Sequence, residues 1–99
     1  MRLSSQMQTI IRDTVHEVFG LEATVFVFGS RIDDNAKGGD IDLLIQSANP
    51  IQRREHKALQ LVAKLQIRLG DQPIDVLVLD PQTPRQPVHE EALSVGVRL

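Results

Sequence analysis

The run Ala23-Thr24-Val25-Phe26-Val27-Phe28 is β-branched and aromatic, and it is apolar on both faces that a strand would present. It reads as a buried strand and asks for a sheet with helices packed on it. The flanking sequence supplies the other parts. Met7, Ile10, Ile11, Thr14, Val15, Val18 and Phe19 recur at three-and-four spacing. That spacing predicts an amphipathic helix over 5–19, capped by Ser4 or Ser5 and ended by Gly20 in a left-handed turn. Residues 40–45 read as a second strand whose hydrophobicity is interrupted only by its two aspartates. Asn49 as cap and Pro50 at the first helical position predict a helix from 50 to about 69, buried through Ala58, Leu61, Val62, Leu65 and Leu69 and closed by Gly70. Residues 74–79 are a third strand, closed by Asp80-Pro81. The Pro-rich stretch 81–87 is extended or turning, and a short helix over 88–94 follows. The order α-β-β-α-β-α predicts an α+β domain covering 1–99, built as one mixed sheet with helices packed against it.

With no Trp or Tyr and only three Phe, the core must be aliphatic. No apolar run is long enough to span a membrane, and the first residues lack a signal-peptide core. The absence of cysteine rules out disulfides and thiolate metal sites and suits a reducing cytoplasm. A net charge of −2, with scattered Lys and Arg, argues against stable binding to a polynucleotide backbone. A single nucleotide remains open, because a metal ion can offset its charge.

Asp40-Ile41-Asp42 is the most informative triplet. Residues two apart on a strand share a face, about 6.6 Å apart along the backbone. Two ionised carboxylates inside an apolar strand are costly when unpaired, so something positive belongs between them. Two Mg²⁺ ions about 3.5–4 Å apart fit such a pair. Asp75 repeats the pattern in the strand Ile74-Asp75-Val76-Leu77-Val78-Leu79. If that strand pairs beside the second, three acids converge, the third taking a proton from an attacking hydroxyl or completing a metal's shell. Gly29-Ser30 directly follows the first strand. There a glycine lets phosphate approach the backbone, and free N–H groups with the Ser hydroxyl can hold its oxygens. Arg31 is a phosphate contact or a solvated loop cation. Lys37 reads as plain surface, and Asp33, Asp34, Asp71 and Asp80 as turn and cap residues. His16, His56 and His89 show no metal spacing and read as helix-surface residues. Arg53, Arg54, Glu55 and Lys57 read as a solvated helix face.

Val27-Phe28-Gly29-Ser30-Arg31, followed by Gly38-Gly39-Asp40-Ile41-Asp42-Leu43-Leu44, resembles the signature of the DNA polymerase beta-type nucleotidyltransferases. Within that superfamily the chain is most similar to the small MNT-type proteins, the antitoxins of MNT/HEPN toxin–antitoxin pairs. The resemblance runs from the first strand through the third, and Gly39 departs from it where many relatives carry Ser or Thr. It implies a nucleotidyltransferase fold in which Gly29 and Ser30 hold the triphosphate. Asp40 and Asp42 bind metal, and Asp75 is the third acid. It further implies Mg²⁺ as cofactor, ATP as donor of AMP, a tyrosine of a HEPN-type toxin as acceptor, and action as an antitoxin. Larger relatives that modify aminoglycosides carry an extra helical domain to hold the acceptor. Here only a Pro-rich stretch and a short helix follow the third strand, which favours an acceptor on a partner protein. The competing expectations are an antitoxin that neutralises its partner by contact alone, and a nucleotide-binding module without turnover. The sequence leaves base preference and homo-oligomerisation open.

Overall fold

The computed structural model describes residues 1–35 and 39–99, so Lys37 and the motif residue Gly38 lie outside the described residues. Helix α1, Ser5–Phe19, starts where Ser4 Oγ accepts from the Met7 N–H at 3.1 Å. It stops at Gly20, whose φ of 102° is positive but whose ψ of 164° is extended, so the expected left-handed turn is replaced by an extended exit. Strand β1, Thr24–Phe28, runs into a 3-10 turn at Gly29–Ile32, and β2 occupies Ile41–Gln46. Helix α2, Arg54–Leu69, leads to β3, Ile74–Leu79, then to α3, Pro87–Val95, and to a short β4, Val97–Arg98.

The four strands form one mixed sheet in the order β3-β2-β1-β4. β1 is antiparallel to β2 and to β4, whereas β2 and β3 are parallel, joined through α2. Strand alternation sorts the side chains into two layers. Val25, Val27, Ile41, Leu43 and Ile45 meet Ile11 and Val15 of α1 and Leu61 and Leu65 of α2. Each fully buried aliphatic side chain of this kind contributes about 1.5–3 kcal/mol, and the core is aliphatic as the composition requires. On the opposite face Leu44, Leu79 and Ala92 pack with Phe26, Phe28, Leu77 and Leu93. The sheet thus lies between α1 and α2 on one side and α3 on the other.

Three expectations need correction. Helix α2 begins at Arg54, not at Pro50, and Asn49 does not cap it. Asn49 Nδ2 instead donates to Glu22 Oε2 at 2.8 Å. Asp80 ties down the segment before α2: its Oδ2 accepts from the Ile51 N–H at 2.8 Å, and its Oδ1 pairs with Arg54 Nη1 at 3.1 Å. Arg54 is therefore half-buried rather than part of a solvated face. His89 is buried, not a surface residue: its Nδ1 accepts from the Gln86 N–H at 3.0 Å and so caps α3. Strand β4 had no counterpart in the sequence reading. Gly96 makes its approach possible, since a Cβ there would collide with the Ala92 carbonyl and stand 3.3 Å from Phe26 Cβ.

Candidate active site

The acids reach one place through strand register. Asp42 lies opposite Asp75 of β3 and opposite Phe28 of β1, so Asp75, Asp42 and Phe28 form a row across three strands. The next row on the same face is Leu77, Leu44 and Phe26, apolar throughout. Ala92 and Leu93 of α3 pack on that apolar face, and the acids stand at the rim beyond it. Asp75 is exposed, whereas Asp42 is half-buried. Asp40 sits one residue before the β2 ladder, exposed, so strand pairing does not fix it as it fixes the other two. The expected convergence of Asp42 and Asp75 is what the parallel β2–β3 register produces.

Gly29 closes the site from the β1 side. Its φ is +75°, a value L side chains rarely adopt. A Cβ at this position would collide with Asp42 Oδ2 and stand 3.2 Å from Asp42 Cγ. The backbone angle requires the glycine, and any side chain there would push the Asp42 carboxylate aside. Asp42 bears the electrostatic cost of the arrangement. Burial raises its pKa above the usual carboxylate value, and the charges of Asp75 and Asp40 and a hydrogen bond with Asp75 add to the rise. Among the described residues no three His, Cys, Asp or Glu side chains already form a metal-holding group. Asp40 and Asp75 are nonetheless near enough to Asp42 for their charges to oppose its ionisation, and carboxylate oxygens are the hard donors that Mg²⁺ takes.

Ser30 and Arg31 lie in the 3-10 turn that Gly29 opens. The Ser30 carbonyl accepts from Arg2 Nη2 at 2.9 Å. Arg31 spends its guanidinium on the protein: Nη1 donates to the Arg2 carbonyl at 2.9 Å, and Nη2 donates to the Gly39 carbonyl at 2.9 Å and to Gln72 Oε1 at 3.0 Å. Its Nε is buried and has no hydrogen-bond partner among the described residues. A solvated loop cation it is not. Asp33 accepts from the Asn35 N–H at 2.9 Å, the turn role expected of it. Phe28 beside Asp42 and Gln72 against Arg31 are further parts of the site. The glycine–serine motif adjoining Phe28 was a signal for the first; nothing in the local sequence marks the second.

The fold and this row of acids define a small α+β domain with a polar, carboxylate-rich rim at one end of a mixed sheet. Among known proteins no family model matches the chain, and no curated protein matches it. No helix among the described residues is long and apolar enough to cross a membrane.

Proposed function

We propose that the chain is a divalent-metal-dependent nucleotidyltransferase that moves AMP from ATP to a hydroxyl group of a partner protein. One observation supports this most: Asp42, in register with Asp75 and pressed beneath Gly29, ionises against burial and two neighbouring acids. Such a cluster is useful to a fold when a cation joins it. Asp40 and Asp42 would hold Mg²⁺, with Asp75 beside them. When bound, the metal supplies Lewis-acid polarisation of the phosphate and offsets its negative charge. Gly29, without a side chain, leaves the backbone open to the triphosphate, and Ser30 adds a hydroxyl donor. Asp75, the most exposed of the strand acids, takes the proton of the acceptor hydroxyl. The acceptor oxygen then bonds to the α-phosphorus as the bond to the bridging oxygen breaks, and pyrophosphate leaves. The acceptor we assign is a tyrosine of a HEPN-type toxin, the outcome is neutralisation of that toxin, and the setting is the cytoplasm, where ATP and Mg²⁺ are present.

Calorimetry with ATP tests the first half of this reading. Binding should be clear with Mg²⁺ and markedly weaker with chelator, because the metal offsets the phosphate charge; equal affinity in both removes the metal. Incubation with labelled ATP, Mg²⁺ and the partner, followed by mass spectrometry, tests the second half. A partner carrying added AMP is expected. A partner that binds tightly and stays unmodified replaces catalysis with neutralisation by contact.

A further inference from the structure

We propose that Arg31 is a positioning residue for Asp40, and not a phosphate ligand; the inference rests on the metal-dependent reading above. Asp42 and Asp75 are fixed by the parallel ladder, residue against residue. Asp40 is not, because β2 begins only at Ile41. The peptide immediately before it is held instead by Arg31, whose Nη2 donates to the Gly39 carbonyl at 2.9 Å. The same nitrogen donates to Gln72 Oε1 at 3.0 Å, and Gln72 Nε2 donates to the Leu69 carbonyl at 3.0 Å at the end of α2. Nη1 ties the opposite side to the Arg2 carbonyl at 2.9 Å, and the Arg2 N–H donates back to the Arg31 carbonyl at 2.7 Å. One guanidinium thus joins the turn that follows β1, the entry to β2 and the approach to β3, the three segments that bring Gly29, Asp40 and Asp75 to the site.

The Arg31 guanidinium serves these acceptors from two separate nitrogens, Nη1 and Nη2, held in one plane. The donors of an ammonium all radiate from one nitrogen and cannot span both sides. Both Nη2 protons are committed to the Gly39 carbonyl and to Gln72, so Nη2 orients the Gly39–Asp40 peptide through its hydrogen bond to Gly39. Removing Arg31 should therefore loosen Asp40 while leaving the ladder acids in place. The expected loss of metal affinity is about 10–100-fold, the usual effect of losing a group that orients a ligand.

The test uses Mn²⁺ as the metal probe and ATP as the nucleotide. Calorimetry compares wild type, Arg31→Ala, Arg31→Lys, Asp40→Asn and the Arg31→Ala/Asp40→Asn double variant. Arg31→Ala should weaken Mn²⁺ binding, and Arg31→Lys should not restore it. In the Asp40→Asn background, Arg31→Ala should add nothing, because the two act through one carboxylate. ATP binding in chelator should be unchanged by Arg31→Ala. Amide NMR of the metal-free protein supplies a readout independent of function: Gly39, Asp40 and Gln72 should shift in Arg31→Ala, with Leu43 and Leu77 in place. If Arg31→Ala does not fold, Arg31→Lys carries the same comparison. Additive losses in the double variant overturn the proposal, and weaker ATP binding in chelator overturns it and makes Arg31 a phosphate ligand. An unmoved Asp40 amide overturns it even where Mn²⁺ and ATP bind the wild type normally. A wild type that binds Mn²⁺ and ATP no better together than apart, with the Asp40 amide still shifting in Arg31→Ala, overturns the transferase reading and leaves Arg31 as a determinant of the Asp40 loop alone.

Discussion

Asp42 carries a charge that its surroundings resist, and the direction of that resistance fixes how pH acts on it. Its folded pKa lies above the usual 3.8 because of burial first and the neighbouring acids second. The fold therefore favours the protonated form. Its contribution to stability is fully present below the unfolded carboxylate value and is lost as pH rises through the raised folded value. Asp42→Asn keeps the shape and removes the charge. Around neutral pH in chelator it should melt at or above the wild-type temperature, and the difference should shrink on acidification towards the ordinary carboxylate range. With Mg²⁺ and ATP it should lose about 100-fold or more of any transfer activity. Thermal melts against pH and a labelled-ATP assay check the two halves. A variant that melts well below wild type around neutral pH would show that Asp42 stabilises the apo fold.

Asp80 shows the opposite sign at the level of elements. Its carboxylate accepts from the N–H groups of Ile51 and Gln82, from Thr83 Oγ1 and from Arg54, joining the end of β3 to the start of α2. Those hydrogen bonds, the Ile51 N–H foremost, hold its pKa below the usual 3.8 against the effect of burial. The stability it gives is present above the unfolded value and is lost as pH falls through the lowered folded one. Asp80→Asn should therefore lower the melting temperature around neutral pH and flatten its fall in acid. Amide exchange should quicken at Ile51 and in the first turn of α2. Unchanged exchange there would mean that Asp80 does not tie down the segment before α2. The Asn49-Pro50 pair read as a helix start from local chemistry alone; in the fold a buried carboxylate from a distant segment holds the Ile51 N–H instead.

At the scale of the whole molecule, β4 closes one edge of the sheet. Leu99 N–H donates to the Val25 carbonyl at 3.0 Å, and Leu99 packs on the main core. A chain ended at Gly96 should lose about 2–3 kcal/mol, from one partly buried Leu and a few ladder hydrogen bonds. It should also self-associate, because β1 would present an apolar, unpaired edge. Urea unfolding and light scattering check both effects, and an unchanged midpoint would show that β4 only rests against the sheet.

The sequence by itself determined the elements whose pattern is long enough to read. The stripe in α1 follows from three-and-four spacing, and β1, β2 and β3 follow from short apolar runs, in the last two of which Asp42 and Asp75 stand out as acids. It also marked Gly29, because a glycine at the end of a buried strand has few other uses. What the tertiary structure decided lies wherever one segment acts on another far along the chain. A two-residue strand such as β4 has no period to detect and exists only because the β1 edge is there to pair with it. His89 is buried because α3 folds onto the sheet, and Arg54 because Asp80 reaches it. Arg31 ends among the carbonyls of Arg2 and Gly39 and the amide of Gln72 because three loops meet there. Local patterns carry the propensity of a segment; hydrogen-bond partners distant in sequence are chosen only when the chain has closed on itself, and the geometry around the acids depends on those partners.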